Sequence, residues 1–420
     1  MNPTAIESHL KLVLLEWMVI MAVAWFFGRA GQKVGQPLAV GEITGGLLLG
    51  PSLLGALWPE GFQTLFPSET QQSLQLLAKI GLILLLFQVG MEFDYGHLAQ
   101  RSRTVTAVSL MGIAAPMLGG LLLGPWLHRE FGPGLPYFGF QLFVCIALSI
   151  SALPIMGRIL LEMKLERTAI GAMAISSAAI DDVVGWILLA VATALVTSRF
   201  DLSTLGAQAG GVLVLFVVLH KFVGPWLRRL WQKSAAANGE GFSASYLALL
   251  LSVLFTCCLI TNVLGIFSIF GAFLLGTALH QEVGLVKTWR EKFADFVVIA
   301  LVPIFFTNTG LRTEIGSLTT GKAWLGCALV LAMATAGKLG GCYLGAHLTG
   351  QPRRDAACIA ALMNTRALMG LVAINIGLEL KLLTRELFTM FVIMCLVTTA
   401  MCGPLLRWWL PAELHPKGNG

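Results

Sequence analysis

Asp181 and Asp182 stand side by side in SSAAIDDVVGW, residues 176–186, with no other acid between Glu166 and Asp201. A carboxylate at the centre of a membrane-spanning helix costs about 2.5 to 3.5 kcal/mol, so two adjacent ones imply a use. Such groups can hold a proton or offer hard oxygen ligands to a cation. The plainer alternative is a helix end mistaken for a helix middle. Lys338, in ATAGKLGG, supplies a charge of the opposite sign. It falls about sixteen residues into its apolar run, roughly 24 Å at 1.5 Å per residue, and Asp181 is similarly deep in its own. The two runs point in opposite directions, so these groups meet at one level. Two acids and one base there suggest a buried pair plus a spare carboxylate.

Two further stretches interrupt apolar sequence near the same level. CIALSISALPIMGRIL, residues 145–160, carries Ser149, Ser151 and Pro154, and a proline inside a helix removes one backbone hydrogen bond and blocks another carbonyl. ALMNTRALMG, residues 361–370, sets Asn364, Thr365 and Arg366 in the middle of a run. A single such site could be an ordinary proline kink with back-bonded hydroxyls. Corresponding breaks in two halves of a chain point instead to a transport site, where freed carbonyls and helix ends can coordinate an ion.

The elements that must position these groups are membrane helices. Of 420 residues, 56% are hydrophobic and 12% charged, about half the charged share of a soluble domain. Apolar runs of roughly 17 to 25 residues recur from end to end, about thirteen in all, which makes the chain an all-α polytopic membrane protein. The first run follows Glu7, His9 and Lys11 without a small-residue cleavage site, so it is expected to stay as a helix. Runs one to six and eight to thirteen form two six-helix repeats of opposite orientation, about 8–198 and 243–410, joined by a linker helix at about 205–227. Together they make one transmembrane domain, 1–410, with a short cytoplasmic tail at 411–420.

The net charge of +6 does not indicate nucleic acid, because the basic residues are scattered over short loops. Their bias towards one side, with Arg228, Arg229, Arg353 and Arg354 inside against Arg129 and Arg312 outside, predicts an outside N-terminus and a cytoplasmic C-terminus. Three basic residues fall inside runs: Lys79, near enough to a run end to snorkel, and the deep Lys338 and Arg366. All eight cysteines lie in apolar runs without metal-ligand spacing and read as small core residues. No phosphate loop, Walker motif or nucleophile triad occurs, so neither ATP-driven nor enzymatic chemistry is expected.

Seven segments in order carry a family resemblance: GEITGGLLLGPSLLG (41–55), LLLFQVGMEFD (84–94), SISALPIMGRIL (149–160), SSAAIDDVVGW (176–186), FGAFLLGTALH (270–280), PIFFTNTGLRTEIG (303–316) and NTRALMGLVAINIGLEL (364–380). The chain resembles the second monovalent cation/proton antiporter family, which includes bacterial sodium/proton and potassium-efflux antiporters and plant cation/proton exchangers. The resemblance implies the sodium/proton antiporter fold: thirteen helices, a dimerisation domain, a mobile core domain and two broken helices crossing at mid-membrane. It implies an exchanger of Na+ or K+ for protons, a homodimer in the cell (inner) membrane, with those ions as cargo and no cofactor; a proton from each of Asp182 and Lys338 would make the exchange electrogenic. Carried over residue by residue, Asp182 is the carrier of the alkali cation or proton. Asp181 pairs with Lys338, and Ser151 stands where a threonine is usual. Ser149, Ser151 and broken-helix carbonyls are the further candidate ligands, and Asn364, Thr365 and Arg366 form the second broken-helix site.

Some positions depart from the family pattern. Ala367 and Gly370 replace a usual glycine and glutamate, which removes one membrane acid, and Gln88 replaces an apolar residue. No regulatory soluble domain is expected after the tail. Two other classes remain open on the sequence: an ion-coupled organic-solute carrier on a similar inverted-repeat fold, and a non-transporting sensor in which the acids are a structural cluster. The choice among Na+, K+ and Li+ rests on carbonyl geometry and not on residue identity.

Overall fold

A computed structural model describes residues 3–92, 102–163, 165, 168–197, 202–238, 241–264 and 268–410. Glu166, Asp201, Phe93, Asp94 and the tail 411–420 lie outside the described residues. All regular structure among the described residues is helical. Among the described residues nine helices are long and apolar enough to cross a membrane, or ten if the pair Val283–Ala294 and Val297–Ser317, bent by 41°, is one span. The protein is therefore an all-helical polytopic membrane protein.

The apolar runs are realised unevenly. The second run yields only Leu38–Leu48, 11 residues or roughly 16 Å, too short to cross hydrocarbon as one helix. Tyr137–Ser149 and Ser268–Leu279 are likewise short apolar helices. Hydropathy counts apolar residues in a row, and it does not register where a backbone stops being helical. Helix starts are marked by side chains: Ser243, Thr320 and Thr384 each accept the N–H three residues on, from Tyr246, Ala323 and Leu387.

The chain forms two compact units, and neither is a sequence half. One comprises Met1–Met21, Leu65–Tyr95 and Thr193–Asn308; the other comprises Ala22–Thr64, Gly96–Ala192 and Thr309–Gly420. In the first, helix Gln71–Met91 packs on Ser268–Leu279 through Gly90 and Gly276, and a Cβ at Gly276 would meet the Phe87 carbonyl oxygen at 2.3 Å. The same unit buries Glu16, whose Oε1 is hydrogen-bonded by Thr70.

The second unit holds the acids and Lys338. Its tightest pairing sets Gly321–Leu348 against Ser102–Phe131. Gly337, Gly341 and Gly345 face that partner, and a Cβ at Gly341 would lie 2.3 Å from the Met111 carbonyl oxygen. Small residues at every fourth position let two membrane helices touch backbone to backbone. This close approach carries Lys338 to the Ser109 turn of the partner helix. The span Arg353–Glu379 is the most enclosed, with 94% of its apolar window buried. A polar interruption at membrane depth is tolerated in such surroundings, where protein can satisfy the freed groups.

Candidate ion-binding site

Both interrupted runs are broken where their polar residues fall. Helix Tyr137–Ser149 stops as Ile150 turns extended (φ −63°, ψ 134°), and Leu153–Glu162 restarts with Pro154 in its first turn, where the missing N–H costs nothing. Helix Arg353–Met363 stops at Asn364, and Ala367–Glu379 begins after Arg366. The two breaks are joined. Ala152 N–H donates to the Thr365 carbonyl at 2.8 Å, and Ser151 Oγ lies 3.1 Å from the Met363 carbonyl oxygen.

Helix Ala169–Thr197 presents both aspartates beside the first break, Asp181 1% and Asp182 2% exposed. Asp181 is surrounded by donors. Ser109 Oγ donates to its Oδ1 at 2.5 Å, Lys338 Nζ reaches Oδ2 at 2.5 Å, and Ser151 Oγ reaches the same oxygen at 2.9 Å. Lys338, fully buried, also donates to the Ser149 carbonyl at 2.8 Å. A buried ion pair is sound only when its remaining lone pairs and protons find partners, and this one meets that condition.

Asp182 lies in different surroundings. Its carboxylate takes a backbone hydrogen bond from Leu153, at the start of the restarted helix, while Oδ1 has no partner among the described residues. The carboxylate lines a cavity of about 10 Å³, roughly one water in size, whose other walls are Ile150, Gly185, Leu189, Met369 and Ala373. The other lining residues are apolar, so Asp182 is the titratable side chain of this cavity.

The predicted ligands divide accordingly. Ser151 is engaged with Asp181 and the Met363 carbonyl, and the Ser149 hydroxyl turns back onto the Ile146 carbonyl at 3.0 Å, so Ser149 contributes its carbonyl, to Lys338. Thr365 donates to its own helix at Leu362, and its carbonyl bridges the breaks. Asn364 is fully buried, and neither atom of its side-chain amide has a partner among the described residues. Arg366, also fully buried, donates to the carbonyls of Leu148 and, at 2.8 Å, Ala334. Its guanidinium thus caps the end of helix Tyr137–Ser149, where free carbonyls favour a cation. Backbone N–H groups of Arg366 and Ala367 both donate to Thr399 Oγ1.

Two participants were not found by sequence reasoning: Ser109, one hydroxyl in an apolar run, and the Leu153 N–H. A serine in a membrane helix usually back-bonds to its own turn, so nothing marked Ser109 as a donor to Asp181. Gln88 donates to Glu92 of its own helix end at 3.4 Å. The eight cysteines are all buried and free, and no three His, Cys, Asp or Glu side chains gather as a metal site among the described residues. What the arrangement can do chemically is hold a charge pair in place while an adjacent carboxylate takes up and releases a small cation or a proton.

A family profile described as the transmembrane sodium/hydrogen exchanger matches residues 18–412. The Na(+)/H(+) antiporter NhaS4 of Synechocystis is 36% identical over 414 residues, covering 97% of this chain and 99% of that one. Cation/H(+) antiporter 18 of Arabidopsis thaliana is 34% identical over 408 residues, 96% of this chain but 49% of the plant protein. The chain therefore spans about half the length of that plant relative. Among solved structures, the sodium proton antiporter MjNhaP1 of Methanocaldococcus jannaschii superposes with a TM-score of 0.68 at 16% identity, over 97% of this chain and 98% of that one, a likeness of fold.

Proposed function

The chain belongs to the sodium/hydrogen exchanger family, and from that premise we propose that it is a secondary active antiporter exchanging a monovalent cation, Na+ or K+, for protons by alternating access. It is a transporter and not an enzyme, and these ions are its cargo rather than cofactors. The observation that carries the assignment is an Asp182 that lines an otherwise apolar cavity and has one oxygen without a partner among the described residues, beside an Asp181 whose charge is already compensated. Nothing in the comparisons favours the organic-solute alternative.

In the proposed cycle Asp182 alternates between a proton and the cation. Its carboxylate gives up a proton as the cation arrives and takes one back as the cation leaves on the other side. The arriving cation also competes for Asp181, which frees Lys338 to release a proton of its own. Two protons then move against one cation, and the exchange is electrogenic. Ser149, Ser151 and the carbonyls at the breaks complete the cation's shell once Asp181 is drawn away from Lys338, and Asn364 and Thr365 serve at the second break. Arg366 ties the second break to the first through the Leu148 carbonyl and to helix Gly321–Leu348 through the Ala334 carbonyl.

The finer architecture belongs to the same proposal: thirteen crossings when the short and bent segments are counted, two inverted six-helix repeats in one domain, broken helices that cross, and a homodimer. The N-terminus lies outside and the C-terminus in the cytoplasm of the cell membrane. The test is a pH-dye assay in proteoliposomes with an imposed pH gradient, adding Na+, K+ and Li+ in turn. Dissipation of the gradient by Na+ or K+ is expected; a gradient that persists with every cation, in vesicles verified to contain folded protein, would overturn the assignment.

A further inference from the structure

The second unit carries a groove, lined from Leu339 outwards to the ends of its helices, that no part of the exchange cycle uses. It has a volume of about 490 Å³, within the range of small-molecule sites. Its floor is made by Leu339, Gly340, Ala357 and Ala360. The recess at Gly340 is open enough that an added Cβ would meet nothing within 4 Å. Tyr343 and Trp409 also line it, as do Arg353 and Arg354, the first two residues of their helix. Both arginines are exposed, and no ion pair to either occurs among the described residues.

The placement of these residues says what fits. Helix Gly321–Leu348 ends, Arg353–Met363 begins and Arg385–Trp409 ends beside the same groove, so its mouth lies at the membrane boundary. Tyr343 is about 7 Å and Leu339 about 13 Å inside the end of their helix at 1.5 Å per residue. Along its helices the groove thus passes from two exposed arginines, through a tyrosine and a tryptophan of the kind that sit at headgroup level, to apolar residues at acyl-chain depth. Guanidinium pairs bind phosphate bidentately. A soluble anion would use the mouth alone and leave the apolar floor unexplained.

We propose that this groove is a binding site for one anionic phospholipid, its phosphate held by Arg353 and Arg354 and an acyl chain laid over Gly340, Ala357 and Ala360. On the orientation proposed above, the site faces the cytoplasmic leaflet, where anionic lipid is concentrated and each basic residue adds to retention. Leu339 in its floor is next in sequence to Lys338, so the lipid braces the helix that carries the charge pair.

The experiment is native mass spectrometry of the detergent-purified full chain titrated with dioleoylphosphatidylglycerol. One retained lipid is expected, bound about thirtyfold more weakly by the Arg353→Gln/Arg354→Gln double variant. Gly340→Leu, which fills the recess and leaves the arginines in place, should also lose the lipid, and dioleoylphosphatidylcholine should be retained far less than the glycerol lipid. Wild-type retention in either variant, equal retention of the choline lipid, or displacement of the lipid by millimolar inorganic phosphate would overturn the proposal. Retention is compared only on variants that elute as the wild-type species, and Arg353→Lys/Arg354→Lys, which keeps the charge, should recover part of the affinity.

Discussion

The two faces of helix Ala169–Thr197 at Asp181 and Asp182 differ as much as two carboxylates one residue apart can. Towards Asp181 point a lysine and two serines from three other segments, Ser102–Phe131, the first break and Gly321–Leu348. Towards Asp182 point a leucine, an isoleucine, a methionine, an alanine and a glycine, with one backbone N–H on the carboxylate. A fully partnered buried charge is fixed in place, because losing any partner leaves the rest exposed to a low dielectric. A carboxylate with an oxygen to spare can change what it binds. In the proposed cycle the pair of acids divides the work between holding and exchanging.

If the spare oxygen of Asp182 is the working one, removing its charge should have the largest effect. Asp182→Asn keeps the shape but not the charge, and exchange in proteoliposomes should drop to that of empty vesicles while the protein still purifies as a folded species. Exchange at the wild-type rate would remove Asp182 from the cycle.

Acting on the other face, Lys338→Gln should weaken exchange rather than abolish it. Removing one partner of a buried pair costs about 3 to 5 kcal/mol of stability, readable as a lower thermal midpoint. The sharper readout is coupling. With the second titrating group gone, cation uptake driven by an imposed diffusion potential, set by whichever alkali ion is not the substrate, should no longer follow that potential. A mutant with full voltage dependence, or a wild type indifferent to potential, would take the Lys338 proton out of the mechanism.

The smallest effect is expected at Ser109. Ser109→Ala removes one of the donors to Asp181 and leaves the lysine, a loss of about 1.5 to 3 kcal/mol for a hydrogen bond to a charged group. Thermal unfolding should register it, and voltage dependence should survive. If Ser109→Ala instead abolishes voltage dependence as Lys338→Gln is expected to, the hydroxyl takes part in proton movement and the division between the two faces is drawn in the wrong place.

Much of this site could be read from residue type and depth alone. Asp181, Lys338, Ser151 and the two interrupted runs stand out because charge, hydroxyl and proline are costly in lipid, and equal depth brings them to one level. The partners of those groups could not be read in the same way. Ser109 is 72 residues from Asp181, and Arg366 finds carbonyls at Leu148 and Ala334 that every residue possesses. Nor does hydropathy separate a crossing helix from the 11-residue Leu38–Leu48 or reveal that Gly337, Gly341 and Gly345 set the approach of Lys338. Those are properties of helix pairs, and a periodic pattern records one helix at a time. The split into two interleaved units is invisible for the same reason, since each gathers segments from both halves of the chain.

If one carboxylate exchanges a proton for a cation, cation binding must release protons from the purified protein. Purified protein in detergent, held in weak buffer near neutral pH, is mixed with Na+ or K+ while a pH dye reports the medium. Wild-type protein should release protons in a saturable way with at least one of the two cations, and Asp182→Asn should release none at any concentration. Equal release from wild type and Asp182→Asn would contradict this, because the exchanging group would then lie elsewhere in the molecule.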